Sequence, residues 1–288
     1  MHIRLASKAD LEDMTAVLVG ASPLDPVYPY RFPGHLYSNE FAALCRRKCA
    51  EYLDTSTVVV CELPVVDGSP VMRVVAFSAW DMPAAAQPPK SRRGSAVEPK
   101  SPTSPTHPSS PTTIGDLTRQ SAFRAALEKH KAELFDTQYG GRRQHQHPQP
   151  QTGHGHGHGH VFLKILLTHP HWQKRGAGTA LASWGIAQAR ALGVPTTVFA
   201  SPMGLTLYRR LGFREVGRFR VQLAGEPDFL EIPALVRPVE VTGGMREAEG
   251  VPGLGLCGRR VGDCFAGGGG AAVAAVAVAG WSEGTVCA

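Results

Sequence analysis

The residues whose types and spacing could do chemistry fall between positions 161 and 213. Gln173-Lys174-Arg175-Gly176-Ala177-Gly178 is a basic, glycine-bearing loop between an almost continuously apolar run and a stretch with helical periodicity. The first N–H groups of a helix have no partner inside it, and glycine lets an anion approach the backbone, so this arrangement can cradle a phosphate. Two nucleotide patterns fail on the residues. A P-loop would end in Gly-Lys-Ser/Thr, but the chain continues Gly178-Thr179-Ala180. A dinucleotide fingerprint would need glycine where Leu181 stands and an acidic residue about twenty positions on, where the chain reads Val198-Phe199.

The pattern Gln173-x-x-Gly176-x-Gly178 after a buried strand resembles the acyl-CoA loop of the GNAT N-acetyltransferases. Downstream, Ser201-Pro202-Met203-Gly204-Leu205-Thr206-Leu207-Tyr208-Arg209-Arg210-Leu211-Gly212-Phe213 resembles that family's strand–helix segment ending in Leu-Tyr-x-x-x-Gly-Phe. The resemblance implies an α/β, three-layer fold with a mixed, mainly antiparallel central sheet flanked by helices. Two parallel strands splay apart at mid-length and admit acetyl-CoA as co-substrate. It implies that backbone groups of Leu166 and Thr168 hold the pantetheine arm and the acetyl carbonyl. It also implies that Gln173, Lys174, Arg175, Gly176, Ala177, Gly178 and Thr179 hold the pyrophosphate. Tyr208 is then the acid that protonates the departing thiolate; the competing reading is a packed core tyrosine. Many members carry Asn where this chain has Ser201, and relatives with the Ser-Pro pattern often carry Glu at the position of Phe199. The hydroxyl of Ser201 can still hydrogen-bond CoA, more weakly. No carboxylate lies on the strand 161–167, so the base is unassigned, with Glu62, Asp81 and His169 near strand ends. The activity implied is direct acetyl transfer to a primary amine of a small molecule or peptide. The competing class is a CoA-binding or protein-interaction module without turnover.

The elements that must position these groups can be read from patterning. Residues 161–167 carry Lys164 as their one charge, as a strand covered on both faces does. The helix after the loop stops at Gly193 with Pro195 beyond it. Ile3 and Leu5 alternate with Arg4 in a first strand, and Ser7 and Asp10 form a capping pair before a helix carrying Leu11, Met14 and Leu18. Four prolines in 22–33 predict an aromatic-lined loop rather than helix. A second helix starts near Ser38 and buries Phe41, Leu44, Cys45 and Tyr52; β-branched runs at 57–61 and 71–79 are a strand pair. Leu117, Phe123, Leu127 and Leu134 fit a helix over 116–135. Residues 196–200 read as a strand, with Ser201-Pro202 starting the next helix, and 213–223 and 229–237 as a final strand pair.

The domain therefore divides into 1–81 and 161–240. Between them, 82–160 is an insertion of Ser-Pro-rich and His-rich linkers around the helix at 116–135, and 241–288 is a Gly/Ala-rich tail; linkers and tail are expected to be disordered. Net charge is +6 over 288 residues, spread through the linkers, which argues against a nucleic-acid partner. The run 267–280 is too short and too glycine-rich to span a bilayer, so no membrane partner is expected. Six cysteines contain no Cys-x-x-Cys pair and the N-terminus lacks an apolar leader, which predicts no metal site and a reduced, cytoplasmic setting, the nucleus included. The Gly-His alternation from His154 to His160 reads as a polar spacer, with loose metal binding as the competing reading. Neither the acceptor amine nor the oligomeric state is legible. The acceptor would be chosen by 22–37 and 116–135.

Overall fold

The computed structural model describes residues 1–65, 70–83, 117–140 and 159–239. Strand β1 (His2–Leu5) runs into the predicted cap, where the Ser7 N–H and hydroxyl donate to Asp10 Oδ2 at 2.7 and 3.0 Å. A 3₁₀ turn leads into α1 (Leu11–Ala21), which buries Met14, Val17 and Leu18. Helix α3 (Asn39–Thr55) starts on Ser38, whose hydroxyl accepts the Phe41 N–H, and it buries Phe41, Cys45, Cys49 and Tyr52. Leu44 is only half-buried. Strands β2 (Thr57–Pro64) and β3 (Met72–Asp81) follow.

The proline-rich stretch is not a plain loop. It holds a 3₁₀ turn (Ser22–Leu24) and a short helix, α2 (Val27–Arg31). Its prolines fall where a missing N–H costs nothing: Pro23 in the first turn of one, Pro26 at the cap and Pro29 in the first turn of the other.

Helix α4 (Leu117–Lys131) continues through a π-helical turn (Ala132–Asp136) into α5 (Thr137–Tyr139), past the predicted end at Phe135. The wide turn adds a residue to the period, so Phe135 rather than Leu134 lands inward. Phe123, Leu127 and Phe135 join the core, and Arg119 donates to the Tyr30 carbonyl and to Glu226. His160, the last histidine of the Gly-His run, is inside as well. Its ring bridges Asp136 Oδ1 (3.0 Å) and Thr197 Oγ1 (2.5 Å), which pins the α4–α5 end to the sheet. The other histidines of the run, and the segment 84–116, lie outside the described residues, as does the tail from 240 on.

The second half supplies β4 (Val161–Thr168), α6 (Ala177–Ala191), β5 (Thr196–Phe199), α7 (Leu205–Arg210), β6 (Arg214–Gln222) and β7 (Phe229–Arg237). Helix α7 begins three residues later than the Ser-Pro pattern suggests, because Ser201–Gly204 forms a turn closed by the Gly204 N–H on the Ser201 carbonyl (3.0 Å). The seven strands form one sheet, ordered β1-β2-β3-β4-β5-β7-β6, antiparallel throughout except for β4 against β5. Helices α1 to α4 cover one face, with a core including Met14, Phe41, Phe77, Phe123 and Phe199. Helices α6 and α7 cover the other, around Trp80, Leu166, Leu181 and Tyr208.

Trp80 locks the second layer. It is fully buried, its indole N–H donates to Ser78 Oγ at 2.8 Å, and its ring lies against Gly185 of α6. A Cβ on Gly185 would stand 2.2 Å from Trp80 Cη2. Gly185→Ala should therefore overpack the layer and cost roughly 1–3 kcal/mol, read as a thermal midpoint lower by several degrees with secondary structure retained. An unchanged midpoint would mean the helix shifts freely off the sheet.

Candidate active site

The site begins with a break in the sheet. The parallel pairing of β4 and β5 covers only Val161↔Thr196, Phe162↔Thr197 and Leu163↔Val198. β4 then stays with β3 as far as Thr168, and β5 stays with β7 as far as Phe199. A gap therefore opens between the second half of β4 and the end of β5. The local cause is a bulge on β4: Trp80 faces Leu163 and Ala79 faces Ile165, which leaves Lys164 as the extra residue. Lys164 turns out to Asp81 (2.7 Å) and Ser56 (3.1 Å), and the alternation of the strand flips after it. The His169 N–H donates to the Val75 carbonyl on the β3 side, so the two-residue alternation turns the backbone of Leu166 and Thr168 toward the gap. The Thr168 carbonyl accepts from Gln173 Nε2 at 3.4 Å.

Helix α6 points its N-terminus at this gap. Its cap is Gly176, left-handed at φ 86°, and Lys174 two residues earlier is left-handed at φ 64°, a conformation uncommon for a residue with a Cβ. No side chain caps the helix, and its first intrahelical bond is the Ala180 N–H on the Gly176 carbonyl. The N–H groups of Ala177, Gly178 and Thr179 are thus left over at the end where the helix dipole favours an anion. Lys174 and Arg175 are exposed beside them, the Arg175 guanidinium 4.8 Å over the Trp172 ring. Gly178 is where strand, loop and α7 converge: a Cβ there would lie 3.5 Å from Leu166 Cδ2, 3.6 Å from Leu207 Cδ2 and 3.8 Å from Thr168 Oγ1. The residues expected around the phosphate and the arm are therefore neighbours.

Tyr208 follows Leu207 on α7. It is fully buried, its ring packs edge-on to Phe213 at 5.5 Å, and its hydroxyl has no hydrogen-bond partner among the described residues. Burial, and secondarily the charge of Asp25, push its phenol well above the ordinary range. Ser201, at the exit of β5, is also fully buried; it directs its hydroxyl toward Asp25 and accepts the Gly204 N–H at 3.4 Å.

Asp25 was not legible as a site residue. It precedes Pro26, which favours the extended backbone it has (φ −101°, ψ 121°), and its Oδ1 accepts the Val27 N–H at 2.9 Å. From sequence this is a helix-start aspartate and nothing more. In the fold it is fully buried, its Oδ2 has no partner among the described residues, and burial raises its carboxyl to about 6, opposed by the nearby Ser201 hydroxyl and the Val27 N–H. The three carboxylate and imidazole candidates of the strand ends have contacts of their own. Glu62 is held by Arg4 and His2 on the sheet edge, and Asp81 pairs with Lys164. His169 stacks edge-on with His171 and packs against Gly20 of α1.

Among the described residues no helix is long and apolar enough to cross a membrane, and no group of three or more metal-ligating side chains is present. The buried thiols of Cys45, Cys49 and Cys61 are free.

Comparison with known proteins agrees with this geometry. The model of the acetyltransferase (GNAT) family matches residues 142–213, the span holding β4, the glycine loop, α6, β5 and α7. A curated relative from Stachybotrys chartarum, named acetyltransferase, is 25% identical over 225 residues, covering 78% of this chain and 85% of its own. Among solved structures, the Drosophila melanogaster polyamine N-acetyltransferase, an enzyme that forms N-acetylagmatine, superposes with a TM-score of 0.51 at 14% identity, covering 83% of this chain and 99% of its own. A Corynebacterium glutamicum protein, described as histone acetyltransferase HPA2 and related acetyltransferase, gives a TM-score of 0.47 at 19% identity, covering 84% and 97%. The seven-stranded mixed sheet flanked by helices superposes on the fold of the Drosophila enzyme. The chain is thus similar to the GNAT acetyltransferases in sequence over residues 142–213 and in fold over most of its length.

Proposed function

We propose that the protein transfers an acetyl group directly from acetyl-CoA to a primary amine of a small molecule or peptide. The observation that carries this reading is the parting of β4 from β5 beside an uncapped helix N-terminus, with the unsatisfied Tyr208 hydroxyl buried on the α7 side. The leftover amides of Ala177, Gly178 and Thr179, with Gln173, Lys174, Arg175 and Gly176 before them, would take the pyrophosphate. The backbone of Leu166 and Thr168 would hold the pantetheine arm as a neighbouring strand would, and Ser201 borders the same opening. Tyr208 would give its proton to the leaving sulfur. Because α2 and α4 pack together over the Asp25 side of the sheet, through Arg31 over the Phe123 ring at 4.5 Å and Arg119 over the Tyr30 ring at 4.9 Å, they are the elements expected to shape the acceptor's site.

The test is a screen of primary amines and peptides for thiol release from acetyl-CoA, with binding of acetyl-CoA measured separately. Tight binding with no release by any acceptor would make the protein a CoA-binding module instead. Gly178→Ala isolates the cradle. An alanine fits the free protein, since its Cβ makes contacts no closer than 3.5 Å and the backbone there is ordinary helix. It should leave the thermal midpoint unchanged and weaken acetyl-CoA by roughly ten-fold or more, a loss of about 1.4 kcal/mol; unaltered affinity would remove Gly178 from the phosphate site.

A further inference from the structure

We infer that Asp25 is the base that takes the acceptor amine's proton, working opposite Tyr208 at the β4–β5 gap; the assignment rests on acetyl transfer being the reaction. Buried polar atoms are nearly always paired, so each exception needs a reason. Two exceptions meet here, Asp25 Oδ2 and the Tyr208 hydroxyl, each on a fully buried side chain. They come from opposite layers, Asp25 from the segment between α1 and α2 and Tyr208 from α7, and the Asp25 charge acts on the Tyr208 phenol. Ser201, at the end of β5 where the strands have parted, directs its hydroxyl to the Asp25 carboxyl. A carboxylate with one oxygen anchored on the Val27 N–H and the other left open is a fixed acceptor for one proton.

The two groups also fit one sequence of proton movements. As the amine nitrogen bonds to the thioester carbonyl carbon, its N–H proton passes to Asp25. As the carbon–sulfur bond breaks, the sulfur keeps the electron pair and takes the Tyr208 proton. The pair resets when the proton on Asp25 returns to the Tyr208 phenolate, leaving amide and free thiol. Asp25 charge is one of the two causes that hold the Tyr208 phenol up, so neutralising Asp25 makes Tyr208 a better acid at the step that needs one. The titratable groups that sense Asp25 are Tyr208 from α7 and Tyr28 from α2; the Val27 N–H and the Ser201 hydroxyl favour its ionised form, and burial opposes it.

The experiment uses the full chain, acetyl-CoA and the primary amine that releases thiol fastest. Asp25→Asn keeps the bond to the Val27 N–H, since asparagine accepts there as well as aspartate does. It should bind acetyl-CoA as wild type does, lose roughly a hundred-fold or more in kcat, and lack the acid limb expected of wild type near pH 6. Ser201→Ala should move that limb to higher pH, because the hydroxyl it removes favours the ionised carboxyl. Without acetyl-CoA, the thermal midpoint of wild type should fall as pH rises through about 6, and that of Asp25→Asn should not. An Asn variant that turns over within a few-fold of wild type and keeps the acid limb overturns the assignment. So does one whose midpoint drops at every pH while the shape of its pH profile is unchanged, since Asp25 would then be structural only. In either case acetyl transfer by wild type still stands. If wild type releases no thiol with any amine, both readings fall.

Discussion

Tyr208→Phe should leave acetyl-CoA affinity within a few-fold of wild type and lower kcat by roughly a hundred-fold or more, the contribution of one positioned proton donor. The substitution is unusually clean at this position. The ring stays, with its edge-on contact to Phe213 and its place in the layer beneath α6 and α7. The atom removed makes no hydrogen bond to any described residue, so no partner is stranded when it goes. An unsatisfied buried hydroxyl costs roughly 1–3 kcal/mol, so the variant should be as stable as wild type or slightly more so. The phenol is held well above its ordinary range, so it is protonated throughout the working pH range and is a donor from the start. The loss should appear in kcat and not in KM, because the hydroxyl acts only as charge gathers on sulfur. Undiminished turnover in a folded variant would make Tyr208 a packing residue.

What the chain reveals of its fold is governed by how local the cause is. The Ser7–Asp10 cap, the Ser38 start of α3, the left-handed Gly176, Gly193 and Gly212, and the apolar run of β4 are set by neighbours within a few positions. All are readable, and the glycine loop with the Leu207-Tyr208…Gly212-Phe213 run is what suggests where a cofactor would lie. Features decided by contacts across the chain were not readable. The bulge at Lys164 depends on β3 pairing opposite it, and the π turn before Asp136 depends on Phe135 reaching the sheet and on His160 arriving from the far side of an undescribed segment. The helix α2 was hidden because four prolines argue against helix in the abstract, whereas Pro23, Pro26 and Pro29 sit at caps and first turns and Pro33 lies beyond the helix, which permits it. Asp25 was hidden for the same reason. Its sequence setting explains one carboxylate oxygen as a helix-start acceptor, and only the fold shows the other left open, with its charge acting on Tyr208.

The same openness makes Asp25 a cost to the folded state, and the sign of that cost is testable. Its carboxyl is raised from 3.8 to about 6 in the folded protein, so the folded state holds the proton more tightly than the unfolded chain. Stability is then highest below the unfolded value and is lost as pH rises from about 4 to about 6, above which the ionised carboxylate is buried without full compensation. A difference of about two units corresponds to about 3 kcal/mol. Asparagine has nearly the same shape, accepts the Val27 N–H and carries no charge, so Asp25→Asn should be the more stable protein at pH 8. For a domain of this size that is a thermal midpoint higher by roughly 5–10 °C. The two proteins should converge as pH falls from 6 toward 4, where wild type becomes neutral at this site as well. A variant that is inactive yet more stable at pH 8, and equal to wild type near pH 4, would separate a carboxylate kept for chemistry from one kept for folding. A variant less stable at pH 8 would show that the carboxylate is satisfied in solution, and Asp25 would then belong to the architecture of the α1–α2 segment.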